Sequence, residues 1–324
     1  MESLTKNRQS CEVLRAMVTR AYGADQVAAG DSWAEELGHG WFNVAYAIRL
    51  RDGTRVVLKI APPAGVEVMT YERDLMRVEV RALSLIREQT AVPVPALHYF
   101  DGGRDLCDAD YFFMEFIEGE NLGLVPAERA AAYHEALGAT NRELNQIRGD
   151  HFGSLLGGQP GATWRAVFTR MVAEVLLDGE RRDVDLGWDY AVVRETLARH
   201  SESLDEVTVP AFVEWDMWPS NVLVHDGAIA GVIDHERAFF GDPLMEAGFV
   251  ATELPAKGDP AGFLRGYGHG PLTAGERVRR RLYNLHLLLI MVVEITYREL
   301  TEPGHAERTK AALNDVMASL GHRR

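Results

Sequence analysis

Asn221 and Asp234 are two polar side chains that a predicted β-hairpin could bring together. Two short apolar segments rich in Val and Ile, 222–224 and 229–233, flank the dipeptide Asp226-Gly227. An Asp-Gly pair between such segments favours a two-residue type I′ turn, because its central residues need positive φ. The sequence therefore predicts that both polar side chains lie at the open end of one hairpin.

Oxygen atoms at that open end could hold one divalent cation. The predicted turn places Asn221 opposite Val232 and points Asp234 to the same face, roughly 7–8 Å away at the backbone. Amide and carboxylate oxygens are hard ligands, which suit Mg²⁺. Asp216 precedes the hairpin and would lie beside the cation. The alternative is a surface hairpin with a solvated Asn and Asp, since Asp-Gly turns are common.

A glycine-bearing turn and a lysine form a second group. Gly38 and Gly40 precede a predicted strand pair, and a fold at Asp52-Gly53 pairs Tyr46 with Lys59. Two glycines let backbone amides approach a phosphate, and the lysine adds a positive charge. A plain turn is the alternative. The pattern is not a dinucleotide fingerprint, because no helix follows it.

Glu79 lies within the apolar stripe of a predicted helix. Leu75, Ala82 and Ile86 recur around it at helical spacing. Because a buried carboxylate is costly without a partner, Lys59 is its predicted ion-pair partner. The alternative is a glutamate at the edge of the stripe that reaches water.

The chain changes character along its length, from strands to helices. Strands are predicted within 33–60 and 111–117, and 92–100 is predicted to be extended. Helices are predicted at 11–22, 74–88, 126–147, 164–177 and 189–203, from about 260, and from about 273 to the end. These patterns predict an N-terminal domain over 1–118, a hinge at about 115–119 and a helical domain over 119–324.

Composition is that of a globular protein: 324 residues, 47% hydrophobic and 25% charged, with a net charge of −14. Such an acidic balance argues against a nucleic-acid partner and would help to attract a cation. Cys11 and Cys107 do not form a disulfide framework or a zinc pattern. The apolar stretch 282–295, interrupted by His286 and Glu294, predicts a buried helix rather than a membrane span. We therefore expect a cytoplasmic protein with no membrane partner.

The order of these residues resembles that of protein-kinase-like folds. The resemblance spans roughly 33–250, and its spacing and Gly-Asp-Pro at 241–243 are similar to the aminoglycoside phosphotransferase family. It implies an α+β, two-lobed protein-kinase-like fold, with a small strand-rich N-terminal lobe and a larger helical C-terminal lobe.

The resemblance also implies residue roles. Lys59 would hold the α- and β-phosphates of ATP, with Gly38 and Gly40 in the glycine turn and Glu79 orienting the lysine. Backbone groups at Glu115, Phe116 and Ile117 would bind the adenine. Asp216 would accept the proton of the acceptor hydroxyl, and Asn221 and Asp234 would ligate Mg²⁺.

Three positions depart from the usual pattern of the family. Glu214 stands two residues before Asp216, where relatives usually have His. His235 follows Asp234, where relatives often have an aromatic residue. After the Gly-Asp-Pro, relatives often have an Asp, and the nearest acid here is Glu246. No core participant is lost.

The resemblance implies an ATP- and Mg²⁺-dependent phosphotransferase, with GTP as the alternative donor. Its acceptor would be a hydroxyl group on a small molecule that we expect to be cationic, with an antibiotic such as an aminoglycoside favoured. One alternative is a housekeeping kinase for an amino alcohol, homoserine or a sugar-like metabolite. Another is a catalytically silent nucleotide-binding protein, against which the intact Lys59, Asp216, Asn221 and Asp234 argue.

Four acidic residues are candidates to line the acceptor pocket. They are Glu236, Glu253, Asp183 and Asp185. Glu236 is preferred because it follows Asp234 by two residues. The alternative for each is a solvated surface charge.

Overall fold

Two compact units make up the chain. The computed structural model describes residues 4–30, 32–38, 42–300 and 302–322. One unit comprises Met1–Glu67 and Val94–Glu118, and the other comprises Val68–Pro93 and Gly119–Arg324. The segment with Glu79 thus belongs to the second unit. The division into domains at residue 118 and the hinge stay predictions.

An antiparallel five-stranded sheet forms the first unit, in the order β1–β2–β3–β5–β4. Its strands are β1 Ala34–Glu36, β2 Val44–Arg49, β3 Arg55–Ile60, β4 Leu97–Asp101 and β5 Tyr111–Glu115. The predicted helix α1, Cys11–Tyr22, is confirmed; the Ser10 side chain caps its start and Gly23, at φ 97°, ends it. Met17 and Val18 of α1 belong to the same apolar cluster as the sheet.

Alternation along β3 separates the core from the face that carries the lysine. Val56, Leu58 and Ile60 are fully buried in the cluster with α1. Lys59 therefore points to the opposite face of the sheet. It is paired with Ala45 on β2.

The predicted pairing of Tyr46 with Lys59 is wrong by one residue. Leu50 N donates to Thr54 O at 2.8 Å, so the loop between β2 and β3 has three residues instead of two. Gly53 takes the left-handed position at its end, φ 91°. This is the geometry of a three-residue hairpin, which shifts the register by one.

Helices dominate the second unit. They are α2 Leu75–Gln89, α3 Ala127–Ala130, α4 Tyr133–Leu144, α5 Trp164–Arg181, α6 Tyr190–His200, α7 Ala261–Tyr267, α8 Ala274–Tyr297 and α9 His305–Ser319. The predicted helices are found, with 126–147 divided into α3 and α4 and the region from 273 onward divided into α8 and α9. The stretch 282–295 lies in α8 and is largely buried, as predicted. Across the described residues, none of the helices has both the length and the apolar character needed to cross a bilayer.

Two three-stranded sheets complete the second unit. Their orders are β10–β9–β6 and β7–β11–β8. The strands are β6 Glu120–Asn121, β7 Gly153–Ser154, β8 Ala211–Val213, β9 Val222–His225, β10 Ala228–Val232 and β11 Phe239–Gly241.

The predicted Asp-Gly hairpin is confirmed, but its register is not. Asp226 and Gly227 have φ of 47° and 80°, as a type I′ turn requires. A bulge between Ile229 and Gly231 then shifts the strands, so Val232 pairs with Val222 and not with Asn221. Ile233 N donates to Asn221 O at 2.9 Å beyond the last pair.

Glycines allow α4 and α7 to cross with their backbones in contact. A Cβ added at Gly138 would overlap the carbonyl oxygen of Phe263 and lie 2.6 Å from Tyr267 N. A Cβ at Gly266 would overlap the carbonyl oxygen of Glu135. Because these neighbours are backbone atoms, they cannot rotate away.

We expect Gly138→Ala to destabilise the protein. Alanine favours a helix over glycine by roughly 0.5–1 kcal/mol, but overpacking at this crossing costs about 1–3 kcal/mol, so a net loss should remain. Urea unfolding of the variant measures it. Gly270→Ala is the matched control, because a Cβ there meets nothing within 4 Å. Equal stability of the two variants would contradict the close crossing.

Candidate active site

A tight turn after β8 presents Asp216; we call residues 214–218 the Asp216 segment. Asp216 N donates to Glu214 O at 2.7 Å, and Trp218 N donates to Asp216 O at 2.8 Å. Trp215 takes the left-handed conformation, with φ 61°, and its ring is buried. A bulky residue adopts this conformation only where its surroundings impose it.

Glu246 imposes part of this geometry. Its Oε1 accepts from Glu214 N at 2.9 Å, and its Oε2 accepts from Trp215 N at 3.0 Å. Asn145 Nδ2 also donates to Oε1 at 2.7 Å. Glu246 is fully buried. Burial raises the pKa of its carboxyl group to about 7, although Asn145 and the Glu214 amide oppose the shift.

The Gly-Asp-Pro segment positions Glu246. Asp242 Oδ2 accepts from Arg279 Nε at 2.9 Å and from the Tyr283 hydroxyl at 2.7 Å. Asp242 Oδ1 accepts from Leu244 N at 3.0 Å. Arg280 donates to the carbonyl oxygen of Leu244. Two arginines and a tyrosine of α8 thus hold the turn that precedes Glu246.

Asn221 joins the Asp216 segment to the hairpin. Its Nδ2 donates to Asp216 O at 2.9 Å, and its backbone N donates to Trp218 O at 2.9 Å. Its own carbonyl oxygen accepts from Ile233 N at 2.9 Å. Since the amide nitrogen is used in the first bond, the amide oxygen is the atom that can serve as a ligand.

Asp234 lies in a group of three carboxylates; we call residues 233–237 the Asp234 segment. Ligand oxygens of Glu79, Asp234 and Glu236 lie within 4.8 Å of one another. Glu79 and Glu236 are buried, and Asp234 is half-buried with φ 70°. Carboxylate oxygens at this spacing, with the Asn221 amide oxygen near the same hairpin end, are a donor set that fits Mg²⁺.

Arg237 lies beside Asp216. Its Nε is 3.8 Å from Asp216 Oδ2, and its guanidinium carbon is 5.4 Å from the Tyr71 ring centre and 5.6 Å from the Trp215 ring centre. Burial raises the pKa of Asp216, while Arg237 lowers it. Burial would lower the pKa of Arg237, but Tyr71, Asp216 and other acids raise it well above its usual value. A permanent cation therefore favours the ionised form of Asp216.

Glu214, the unusual residue before Asp216, bonds to His235. The distance from His235 Nδ1 to Glu214 Oε1 is 2.8 Å, and both side chains are enclosed. Burial raises the pKa of Glu214, and His235 opposes this. Burial would lower the pKa of His235, but Glu214 raises it and the net shift is upward. Two of the three departures from the family pattern, Glu214 and His235, therefore meet in one contact.

Lys59 and the predicted adenine-binding segment lie in the first unit. Lys59 is largely buried on β3. Glu115 ends β5, and Phe116 and Ile117 continue as irregular chain outside the ladder. Arg55 stacks over the Phe116 ring at 3.6 Å and bonds the neighbouring Glu118. These contacts order the segment.

Three of the nucleotide-site predictions remain without structural support. A Cβ at Gly38 would meet nothing within 4 Å, so no close approach requires glycine there. Gly40 lies outside the described residues. The ion pair between Lys59 and Glu79 joins residues of different units and stays a prediction.

The four acids predicted for the acceptor lie in different environments. Glu236 is in the carboxylate group beside Asp234. Glu253 accepts hydrogen bonds from Arg277 at 2.9 Å and Arg281 at 2.7 Å. Asp185 is exposed, caps Gly187 N and pairs with Lys310. Asp183 is exposed, with φ 49°. Among the four, Glu236 is the one that belongs to a carboxylate group of the described residues, and a role for each acid in binding the acceptor stays a prediction.

Sequence reasoning missed three contributors to the site. Glu246 is visible only as an acid near the Gly-Asp-Pro, and nothing in the chain order indicates that it accepts two backbone bonds. Arg237 carries no pattern of its own. The bond between Glu214 and His235 has one sequence signal, which is that both positions depart from the family pattern.

The model of the phosphotransferase enzyme family matches residues 33–283. No curated protein matches the sequence of this chain.

Solved structures share the fold over nearly the whole chain. A ternary complex of a thermostable mutant of aminoglycoside phosphotransferase APH(4)-Ia (D198A) with ADP and hygromycin B is similar at TM-score 0.68 and 18% identity, over 96% of this chain and 99% of that one. A putative fructosamine-3-kinase from Thermobifida fusca YX-ER1 is similar at TM-score 0.63 and 22% identity, over 94% and 98%. The streptomycin–ATP–APH(2")-IIa ternary complex has TM-score 0.60 and 15% identity, over 94% and 96%. At these identities the likeness shows the fold, and the α+β, two-lobed fold implied by the sequence is confirmed.

Glu246→Gln should change how stability depends on pH. A carboxyl group whose pKa is raised on folding, from 4.5 to about 7, stabilises the fold fully at low pH and loses this contribution as the pH rises through 7. The free energy of unfolding of the wild type should therefore fall relative to that of the variant between about pH 4.5 and about pH 7. Urea unfolding across this range measures the difference, and parallel curves would contradict the raised pKa.

Proposed function

The chain belongs to the phosphotransferase enzyme family, and we propose that it transfers the γ-phosphoryl group of ATP to a hydroxyl group of a small molecule, with Mg²⁺ as cofactor. That it is a small-molecule phosphotransferase acting on an alcohol group follows from the family. The donor, the metal and the acceptor class are our proposal. One observation carries it: Asn221 bonds both Asp216 and Ile233, which ties the base to the predicted metal ligands.

Asp216 would act as the base in this reaction. Its carboxylate accepts the proton of the acceptor hydroxyl, so that the alcohol oxygen can attack phosphorus. Burial raises the pKa of the Asp216 carboxyl group, and the nearby Arg237 guanidinium opposes this rise, which favours the ionised form. The hydrogen bonds of the Asp216 segment hold its backbone, so little reorganisation is needed on the way to the transition state.

Asn221 and Asp234 would hold Mg²⁺, with Glu79 and Glu236 close to Asp234. When bound, the metal supplies positive charge that neutralises the phosphate oxygens. Lys59 would bind the α- and β-phosphates of the nucleotide, and Glu79 would orient Lys59. The backbone at 115–117 would bind the adenine ring of ATP or, alternatively, the guanine ring of GTP. Neighbouring structures that contain ADP and ATP support a nucleotide donor.

The acceptor we favour is a cationic antibiotic such as an aminoglycoside. Hygromycin B and streptomycin occur in the neighbouring complexes, and the acidic net charge of −14 would favour a cation. A second candidate is a housekeeping kinase for a metabolite. Two observations support it. Glu253 is engaged by two arginines, so fewer carboxylates remain to bind a polycation. The fold is also similar to that of a putative fructosamine-3-kinase.

The acceptor and the base can be tested together. A panel of aminoglycosides, macrolides, peptide antibiotics, amino alcohols and glycated amines, scored by acceptor-dependent ATP consumption, identifies the acceptor class. With an active acceptor, Asp216→Asn should lower kcat by about 10²–10⁴, the usual contribution of a general base.

Asp226→Asn is the matched control for this variant. The same chemical change occurs there on an exposed residue of the hairpin turn, where asparagine tolerates the left-handed backbone. It should retain the kcat of the wild type. If Asp216→Asn also retained it, Asp216 would not be the base.

Metal dependence tests the carboxylate group. EDTA should abolish turnover, and added Mg²⁺ should restore it. Asp234→Asn should raise the half-saturating Mg²⁺ concentration at least about tenfold, since even the loss of an outer-shell partner costs 10–100-fold in metal affinity. A kinetic Mg²⁺ titration of both proteins measures this. An unchanged half-saturation point would remove Asp234 from the metal site.

A further inference from the structure

Glu214 and His235 form an enclosed hydrogen-bonded pair in the second unit. His235 Nδ1 lies 2.8 Å from Glu214 Oε1, and the two side chains are 0% and 1% exposed. The other ring nitrogen, Nε2, lies 3.0 Å from the carbonyl oxygen of Val232. Because a carbonyl oxygen only accepts, Nε2 donates to it, and the ring is held from both ends.

The pair lies between two turns with left-handed backbone. Glu214 precedes Trp215, whose φ is 61°, and His235 follows Asp234, whose φ is 70°. A tryptophan keeps this conformation only where its surroundings enforce it, whereas an aspartate adopts it more readily. The first turn presents Asp216, and the second presents Asp234. The bond between Glu214 and His235 therefore connects the segments that carry the proposed base and the proposed metal ligand, and phosphoryl transfer requires a constant distance between these two carboxylates.

Other contacts hold these segments in different places, and two of them also join one segment to the other: Arg237 approaches Asp216, and Asn221 bonds both Asp216 and Ile233. Glu246 binds the backbone of the Asp216 segment alone. Arg237 approaches Asp216 from a more exposed side, with the two side chains 15% and 20% exposed. The bond between Glu214 and His235 links the interiors of the Asp216 and Asp234 segments.

We propose that Glu214 and His235 are a positioning pair whose hydrogen bond sets the distance between the base Asp216 and the metal ligand Asp234. This inference rests on the proposed function. A pair that serves only the core could be replaced by apolar side chains of similar size without loss of turnover, since such replacements are often neutral or stabilising. A positioning pair could not, because reacting groups must be held to within about 0.5 Å.

The test is the double variant Glu214→Leu/His235→Phe, compared with the wild type on an acceptor that the wild type phosphorylates. We expect the variant to fold, with kcat lowered about 10–100-fold and the half-saturating Mg²⁺ concentration raised by a similar factor. Binding of ADP, followed by tryptophan fluorescence, should weaken in the presence of Mg²⁺ and stay unchanged in EDTA. A role in the core alone would move only the melting temperature.

Two further variants sharpen the result. Glu214→Gln keeps a hydrogen-bonding partner for Nδ1 and should retain kcat to within about threefold. Asn314→Ala removes the 2.7 Å hydrogen bond from Trp188 Nε1, away from both segments, and should lower the melting temperature without changing kcat or the Mg²⁺ dependence.

A folded apolar variant with unchanged kcat, Mg²⁺ dependence and ADP binding would overturn the proposal. If that variant does not fold, the single variant Glu214→Leu, which removes the hydrogen bond, decides: a lowered kcat with a raised half-saturating Mg²⁺ concentration supports the proposal, and a folded variant with both unchanged overturns it. Failure of the proposed function is a different result, because the wild type itself would then consume no ATP with any acceptor in the panel.

Discussion

The two carboxylate oxygens of Glu246 hold the backbone from which Asp216 projects. Each accepts one peptide N–H of the Asp216 segment, and Asn145 completes the bonding of one oxygen. The left-handed Trp215 depends on these bonds, because a tryptophan there has no intrinsic preference for positive φ. Glu246 depends in turn on Asp242, which Arg279 and Tyr283 fix to α8. The long helix thus supports the loop that would carry the base.

Arginine side chains accompany particular acids of this chain, so its net charge does not describe the surroundings of each acid. Arg237 lies over Tyr71 and Trp215, beside the Asp216 carboxylate. Both carboxylate oxygens of Glu253 form ion pairs with arginines, one with Arg277 and the other with Arg281. The net charge of −14 is therefore a property of the whole surface and gives no direct measure of the potential that an acceptor would meet. Recognition of an acceptor must depend on particular side chains.

Much of this arrangement could be predicted from the sequence, where local chemistry determines local structure. Asp226-Gly227 predicts its turn because few dipeptides accept two positive φ values, and α1 follows from its apolar period and the glycine at its end. The register of both hairpins could not be predicted, because a single extra residue in a loop or bulge leaves no distinct pattern. The bonds of Glu246 and His235 join residues distant in sequence, so they appear only when the chain is folded.

The glycine crossing of α4 and α7 has an effect beyond its own helices. Tyr267, at the end of α7, donates its hydroxyl to Asn145 Oδ1 at 2.8 Å, and Asn145 follows α4. The same asparagine donates to Glu246. If α4 and α7 moved apart, the side chain of Asn145 would be displaced from Glu246. Glu246 in turn holds the backbone of the Asp216 segment. A substitution at this close backbone contact would in this way slow turnover as well as lower stability.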